Sequence, residues 1–462
     1  MDDIKYIEGL LTENELSLAE KCLSYATEHG AQKARICLCK SVTDLYGTLN
    51  GSLDKVTHCL DRSMDINLFV DGRFGSFSTN KLDEENIKSL IDKSIKMVKM
   101  LAEDQCRDLP DPKLTAKDAI TGRELDLFDS EYSSMTSEKR LKMALDAAIT
   151  GKISPEGCKL ISEEGEYSDS ISDSYLIDSN GLKCRESITS FDYGVEITVE
   201  DSESNKLSGY WWDSRSKLSD LDLSQCGKIA LDRAKSQIGS KVIESGKYNI
   251  VIRSECASRV VMPILNALNA YSLQQNNSFL QDSLGKQVFP EGLTMIDDCH
   301  KKGGAGSRLF DSEGLATKER IIIDKGVVNT YFVNTYMSNK MGINPTNDEA
   351  TRPLIKPYIS KKFNTDFEGK LDETEILKLC GDGILITGFN GGNSNSATGN
   401  FSFGIEGFLF KSGKIVHPVR EMLLTSDFLT LWSNFLAAGE DYRECMSKLI
   451  PTLAFGNADI SA

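Results

Sequence analysis

The stretch "GDGILITGFNGGNSNSATGNFSFGIEGFLFKSGKIVHPV", residues 381–419, decides how the carboxy-terminal half of this chain is read. Apolar runs bounded by glycine predict three strands, with a long Gly/Asn/Ser loop between the first two. "ERIIIDKGVVNTYFVN", 319–334, predicts another hairpin turning at Asp324, Lys325 and Gly326. The first strand, "GILITGF", raises a question of chemistry. If its edge is open, an extended peptide could add to it through main-chain hydrogen bonds. Ile384 and Ile386 on the strand, and Gly388, Asn390, Gly391 and Gly392 where the loop begins, are then the candidate peptide groove. A fully paired core strand would show the same apolar pattern.

Working outward, the amino-terminal half has clear punctuation. Thr12 to Glu15 fits a capping box, in which hydroxyl and carboxylate each satisfy a backbone N–H. Leu16, Ala19, Leu23 and Ala26 follow at helical spacing, and Gly30 stops the helix. Short apolar runs come next ("ARICLCK", "TDLYGTL", "DINLFV", "RFGSFST"), some of them separated by the hairpin dipeptides Asn50-Gly51 and Asp71-Gly72. A second helix is expected from about Glu84 to Leu101, a charged, proline-bearing connection over 104–118, and a helix from about Ser137 to Thr150. Strands are expected over roughly 158–213, including the turn at Asn180-Gly181 and the aromatic "GYWWD", then a helix over 223–238 capped by Ser224. A last helix is expected near Thr425 to Ala438.

Helices and antiparallel strands come in blocks without regular alternation, which indicates α+β rather than a doubly wound fold. "SKVIESGK", 240–247, is the expected boundary between an amino-terminal α/β domain, 1–244, and a β-rich carboxy-terminal domain, 245–462.

Composition narrows the function. The 462 residues carry 53 Lys and Arg against 69 Asp and Glu, a net charge of −16. Phosphate binding needs clustered bases, so nucleic acid is not an expected partner. No run of about 18 apolar residues predicts a membrane span. "MDDIKYIEGL" is acidic where a secretory leader is basic and then apolar. The 12 cysteines follow no frame and include no C-x-x-C, so the expectation is a reduced, cytoplasmic protein.

Catalytic motifs are missing. The four histidines, His29, His58, His300 and His417, include no helical i, i+4 pair. "DDCH", 297–300, bunches possible ligands, but adjacent residues rarely converge on one ion. Neither a G-x-S-x-G elbow nor a P-loop occurs.

"SFLQDSLGKQVFPEGLT", "FDSEGLATKERIIIDKGVVNTYFVNTYMSNKMG" and "GNFSFGIEGFLFKSGKIVHPVRE" resemble the TldD/PmbA family, once called modulators of DNA gyrase. "INLFVDGRFGSFSTNKL" and "DSNGL" extend the resemblance to the amino-terminal half, and the order and spacing agree over nearly the whole chain. Asp282 to Gln287 and Phe310 to Gly314 are closest to the PmbA (TldE) branch.

The resemblance implies two domains, with the site in the β-rich one, and a dimer enclosing a cavity. Catalytic relatives are similar to zinc peptidases. In those, one helix supplies a His-Glu pair and a second His five residues after the first, and a downstream Cys completes the site. The corresponding stretch here is "VVMPILNALNAYSLQQ", 260–275, with Val261, Leu265 and Asn266 in the degenerate zinc-helix region. Neutral Asn266, Asn269, Gln274 and Gln275 cannot replace a zinc–imidazole pair. Cys445, in "RECMSK", lacks the glycine-rich surroundings of the family's metal cysteine. No catalytic residue and no metal ligand carries over, and zinc is expected only in a TldD-like partner.

The leading expectation is a metal-free subunit that pairs with a TldD-like peptidase, or with itself in its absence, and helps admit unfolded or leader peptides. Two alternatives stand beside it. One is a peptidase with an unusual metal site drawn from Cys299, His300 or Cys445. The other is a modulator of DNA gyrase acting through protein contact.

Overall fold

The computed structural model describes residues 7–153, 155–365 and 367–462. The acidic amino-terminal stretch noted above begins in residues 1–6, outside the described residues. The chain divides into two compact units. The first contains the chain up to Lys235 with His300–Thr317 and Asn334–Asn347; the second contains Ser236–Cys299, Lys318–Val333 and Asp348–Ala462.

The first unit opens with α1 (Glu13–Glu28), where the capping box forms as expected: Glu15 N–H donates to Thr12 Oγ1 at 3.3 Å and Thr12 N–H to Glu15 Oε2 at 2.8 Å. There follow β1 (Lys33–Leu49), β2 (Ser52–Val70), β3 (Arg73–Thr79), α2 (Glu84–Val98), α3 (Ser137–Ala147), β4 (Lys159–Asp178), β5 (Lys183–Glu200), β6 (Lys206–Arg215) and α4 (Cys226–Ser236). The six strands make one antiparallel sheet in the order β3-β2-β1-β4-β5-β6. Asn50 and Gly51, and Asp71 and Gly72, all have positive φ, so both hairpins turn through the conformation their dipeptides favour. α1 and α2 cover one sheet face, where Ala19, Cys22, Ile87 and Ile91 pack on Ile36, Leu38, Met64 and Ile66.

The second unit contains β7 (Gly246–Ile252), α5 (Ser254–Ala267), α6 (Ala270–Gln274), β8 (Met295–Asp297), β9 (Arg320–Asp324) and β10 (Val327–Val328). After α7 (Thr335–Met341), which belongs to the first unit, come β11 (Pro353–Ile355), β12 (Tyr358–Ile359), α8 (Glu373–Cys380), β13 (Gly383–Ser394), β14 (Asn400–Lys411) and β15 (Lys414–Asp427). α9 (Phe428–Ser433), β16 (Phe435–Ala438) and β17 (Leu453–Ser461) complete the chain. The larger sheet runs β12-β16-β17-β15-β14-β13-β7, and β17 also pairs with β7. That extra pairing closes β7, β13, β14, β15 and β17 into a ring. β10-β9-β8-β11 form a separate small sheet.

Alternation explains why "GILITGF" is apolar throughout. Ile384 and Ile386 join the α5 core with Ile250 and Ile252, while Leu385 and Val251 face the cluster built on Ile376 and Leu377 of α8. A strand buried on both faces has no polar side to show.

The fold is α+β with mixed helices and strands, as read from the sequence. Several boundaries differ. "ARICLCK" and "TDLYGTL" are one strand of 17 residues, because β2 and β4 flank it along its length. Much of the expected Gly/Asn/Ser loop is the continuation of β13 to Ser394, paired with β14. The helix expected over 425–438 is only the six residues of α9, with strand pairing claiming both ends. The compact units are not continuous in sequence on either side of the expected boundary at 244. Residues 300–317 and 334–347 pack in the first unit, where Leu309, Phe310 and Ala316 meet Ala116, Ala119 and Leu182, and Arg107 stacks 3.6 Å from the Tyr336 ring. Among the described residues, no helix is long and apolar enough to cross a membrane.

Candidate functional site

The predicted residues lie on two elements of the second unit, α5 and β13. Ile384 and Ile386 are fully buried, β7 pairs with Ile384 to Ile386 on one edge, and β14 occupies the other. Arg253 N–H closes the β7 side by donating to Ile386 O at 3.0 Å. At these two residues the strand is the fully paired core strand of the alternative reading, with no open edge, since both sets of main-chain groups are already bonded. β13 runs on past the end of β7, however, and Asn390, Gly391 and Gly392 are exposed beyond it. The ladder bulges between Asn390 and Asn393. Gly392 is obligatory there: its φ is +86°, and a Cβ would meet Ser402 O at 2.1 Å. Gly388 is half-buried, where a Cβ would meet the Glu406 carboxylate at 2.4 Å, and Asn390 Nδ2 donates to Glu406 Oε2 at 2.9 Å.

On α5, Val261 and Leu265 belong to the core, whereas Asn266 is exposed. Val261 and Leu265 carry no donor atom and Asn266 carries only a neutral amide, so these residues do not fit the metal of the catalytic relatives. Pro263 within α5 also leaves Arg259 O without its usual helical donor. Leu265 and Asn266 line a small cleft of about 170 Å³ with Asn269, Phe332, Glu349 and Lys448. Lys448 Nζ donates to Ala350 O at 2.9 Å and Thr351 O at 3.3 Å, and Asn269 Nδ2 to Asp348 O at 2.9 Å.

Arg259 brings the two elements together, and sequence reading missed it. Its guanidinium lies 4.3 Å from the Phe403 ring and donates to Gly391 O at 3.3 Å and Gly392 O at 3.1 Å. Seven residues separate Arg259 from Asn266, close to two turns, so both point to the same side about 10 Å apart along the axis. Only the short sequence interval to Asn266 could have suggested this; the β13 contact is tertiary.

The residues proposed for an unusual metal site are engaged elsewhere. His300 Nε2 is 2.9 Å from Thr317 Oγ1. Asp297 accepts Arg352 N–H at 2.8 Å, and Asp298 pairs with the Arg352 guanidinium at 2.8 Å. Cys299 and Cys445 are buried. Among the described residues, no group of three or more His, Cys, Asp or Glu side chains is placed to hold a metal ion.

The cysteine nearest the candidate site is no nucleophile either. Burial pushes the Cys256 thiol up to about 12, and its Sγ donates to Arg253 O at 3.4 Å. At pH 8 such a group is about one part in ten thousand thiolate. Native protein treated briefly with iodoacetamide at pH 8 is expected to carry label on Cys59, which is exposed, and none on Cys256. Peptide mass spectrometry checks this, with guanidinium-unfolded chain as the fully labelled reference.

The larger concavities lie in the first unit. One of about 630 Å³ lies against Tyr210, Trp212, Lys55, Glu166 and Asp192, and another of about 790 Å³ borders α1. "GYWWD" was visible as an aromatic strand, but its place in a cavity depends on the sheet.

These features define an α+β protein with a ring of strands, a helix lying beside it, and a polar rim where they meet. The PmbA/TldA metallopeptidase central domain matches residues 130–238, and the PmbA/TldA metallopeptidase C-terminal domain matches 245–462. A metalloprotease PmbA from Escherichia coli O157:H7 is 24% identical over 463 residues, 96% of each chain. A crystal structure from Bacteroides thetaiotaomicron, described as a modulator of DNA gyrase, has a TM-score of 0.91 at 34% identity, covering 98% of this chain and 99% of that one. TldE from Thermococcus kodakarensis shares the fold, with a TM-score of 0.80 at 17% identity over 96% of this chain and 100% of that one. The chain belongs to the PmbA/TldD metallopeptidase family.

Proposed function

We propose that this chain is the non-catalytic, PmbA/TldE-like subunit of a TldD/TldE-type metallopeptidase, in which a TldD-like partner carries the zinc and the cleavage chemistry. The observation that carries the reading is α5: Val261 and Leu265 are apolar core residues, and exposed Asn266 offers only a neutral amide. Zinc catalysis needs imidazole ligands, an open coordination position and a base for the bound water. Val261 to Leu268 supplies neither an imidazole ligand nor a carboxylate base. What the rim does offer is hydrogen bonding. The exposed end of β13 has main-chain groups beyond β7, and Asn266, Asn269, Arg259 and Lys448 add amides and cations without a nucleophile. Such a surface suits an unfolded or leader peptide held as an extended strand. Where no TldD-like subunit exists, a second copy of this chain would take its place.

Peptide cleavage by this chain, by a TldD-like relative bearing the His-Glu pair, and by the mixture tests the proposal. The expected result is no chelator-sensitive cleavage by this chain, less than about a tenth of a zinc ion per chain, and faster turnover by the mixture than by the relative alone. Chelator-sensitive cleavage by this chain alone, or failure of the two proteins to associate at micromolar concentration, would overturn it.

A further inference from the structure

Alternation along β1 sends the fully buried Leu38 to the sheet face that α1 and α2 cover, and so turns Cys37 and Cys39 together to the opposite face. There the two sulfurs lie 3.5 Å apart. Strands on both sides hold the backbone in place. Cys37 is opposite Asp65 of β2 and Leu176 of β4, and Cys39 is opposite Ser63 and Ser174. Cys37 packs on the apolar cluster that Leu309, Phe310 and Ala316 also meet. Cys39 stands between the two serines, and both thiols are partly exposed.

Two thiols this close could join directly or share an ion. The strand keeps their Cα atoms about 6.5–7 Å apart, the far end of what a disulfide spans. Closing a sulfur–sulfur bond would therefore pull β1 away from a neighbour on each edge. An ion needs no such movement. Two metal–sulfur bonds of about 2.3 Å bridge 3.5 Å at an angle of about 100°, so the sulfurs already stand as two ligands of one ion do. The hydrogen bond with Cys37 holds the Cys39 thiol below its ordinary value, while the same contact and burial push the Cys37 thiol up. Cys39 thus gives up the first proton, and a cation taking the place of the second supplies the charge that a dithiolate needs.

The number of ligands selects the ion. Among the described residues, no group of three or more His, Cys, Asp or Glu side chains is placed to hold a metal. Cys184, two strands along the same row as Cys37, donates instead to Ala116 O at 3.4 Å. Structural zinc and iron–sulfur sites take four protein ligands. Thiolates select soft ions, and among these Cu(I) is satisfied by two sulfurs. We propose that Cys37 and Cys39 form a two-thiolate site for Cu(I) on the sheet face away from α1 and α2. The site goes beyond the peptidase reading and shares no residue with α5.

Competition for Cu(I) under anaerobic conditions tests it. The reduced, metal-free full chain carries Cys59→Ser, which removes the exposed thiol, and competes with a chromophoric Cu(I) chelator. One Cu(I) per chain is expected to be withheld from the chelator. Cys37→Ser and Cys39→Ser should each weaken retention at least about a hundredfold, more than loss of an outer partner costs a metal site. X-ray absorption at the copper edge should show sulfur neighbours, and Zn²⁺ offered in the same way should be lost to a chelator. No copper withheld, or copper withheld equally by the double serine variant, would overturn the proposal. So would nitrogen or oxygen ligands alone, or Zn²⁺ held as tightly as Cu(I). Ready closure of a Cys37–Cys39 disulfide in dilute peroxide, read as the loss of two hydrogens from the peptide mass, would also overturn it. Circular dichroism checks that the variants fold, and Cys37→Ala replaces Cys37→Ser if the apolar surroundings reject the hydroxyl.

Discussion

Trp432→Ala is expected to destabilise the second unit by about 3–5 kcal/mol, the range for deleting a large buried aromatic side chain. Trp432 is fully buried at the meeting point of α5 and the strand ring. Its ring lies 5.2 Å from Phe435, 5.1 Å from Phe455 at an interplanar angle of 87°, and 6.3 Å from Phe289. Its Nε1–H donates to Val260 O at 3.2 Å, so one side chain ties α5 to the ring. Alanine would leave a cavity among rigid rings and remove that donor from a buried carbonyl. Trp432→Phe, which keeps most of the volume, is expected to cost well under half as much. Hydrogen exchange of β7, β13 and α5 in increasing urea reads the loss within the second unit. A change below about 1 kcal/mol would mean that the surrounding rings collapse to fill the space.

Arg140→Ala is expected to have an effect of similar size, about 3–5 kcal/mol, in the first unit, because it strands a buried carboxylate. The Arg140 guanidinium donates from Nε to Asp169 Oδ2 at 2.8 Å and from Nη2 to Oδ1 at 2.8 Å, and lies 3.2 Å from Asp44 Oδ2. Tyr167 O–H adds a donor to Asp169 at 3.0 Å. Burial pushes the Asp169 carboxyl above the usual carboxylate range, and Arg140 opposes that push. Without Arg140, the neutral acid is the form the fold tolerates. A folded pKa above the unfolded one gives stability that is present below the unfolded pKa, near 4, and lost as pH rises through the folded pKa. The deficit of Arg140→Ala against wild type should therefore be largest at pH 7 and shrink toward pH 4. Urea titrations at both pH values check this; a deficit independent of pH would show that lost packing, not the stranded charge, dominates.

How much of this was legible in the sequence follows the range of the forces involved. The Thr12 to Glu15 cap and the turns at Asn50-Gly51 and Asp71-Gly72 were readable because each is settled within four residues by backbone chemistry. The helix expected from about Glu84 was readable because Ile87, Ile91, Ile95 and Val98 recur at helical spacing, and they are the residues α2 buries. The extension of β13 through Asn390 to Ser394 was not. Glycine and asparagine there suggest a loop, and only pairing with β14 makes them strand, as tertiary context overrides a weak local preference. Similarly, the pattern over 425–438 suited a helix, but β14 and β17 hold its two ends as strand.

The candidate site divides the same way. The lack of histidine and glutamate over Val261 to Leu268 needs no coordinates. By itself, then, the sequence determined the α+β class, the local turns and caps, and which chemistry α5 could not perform, since side-chain identity alone limits ligands and bases. Tertiary structure decided that Ile384 and Ile386 are sealed between β7 and β14, that Arg259 reaches Gly391 and Gly392, and that residues 300–317 and 334–347 join the first unit. The physical reason is that strand pairing and burial join residues distant along the chain, and no local pattern specifies which edge another strand will take.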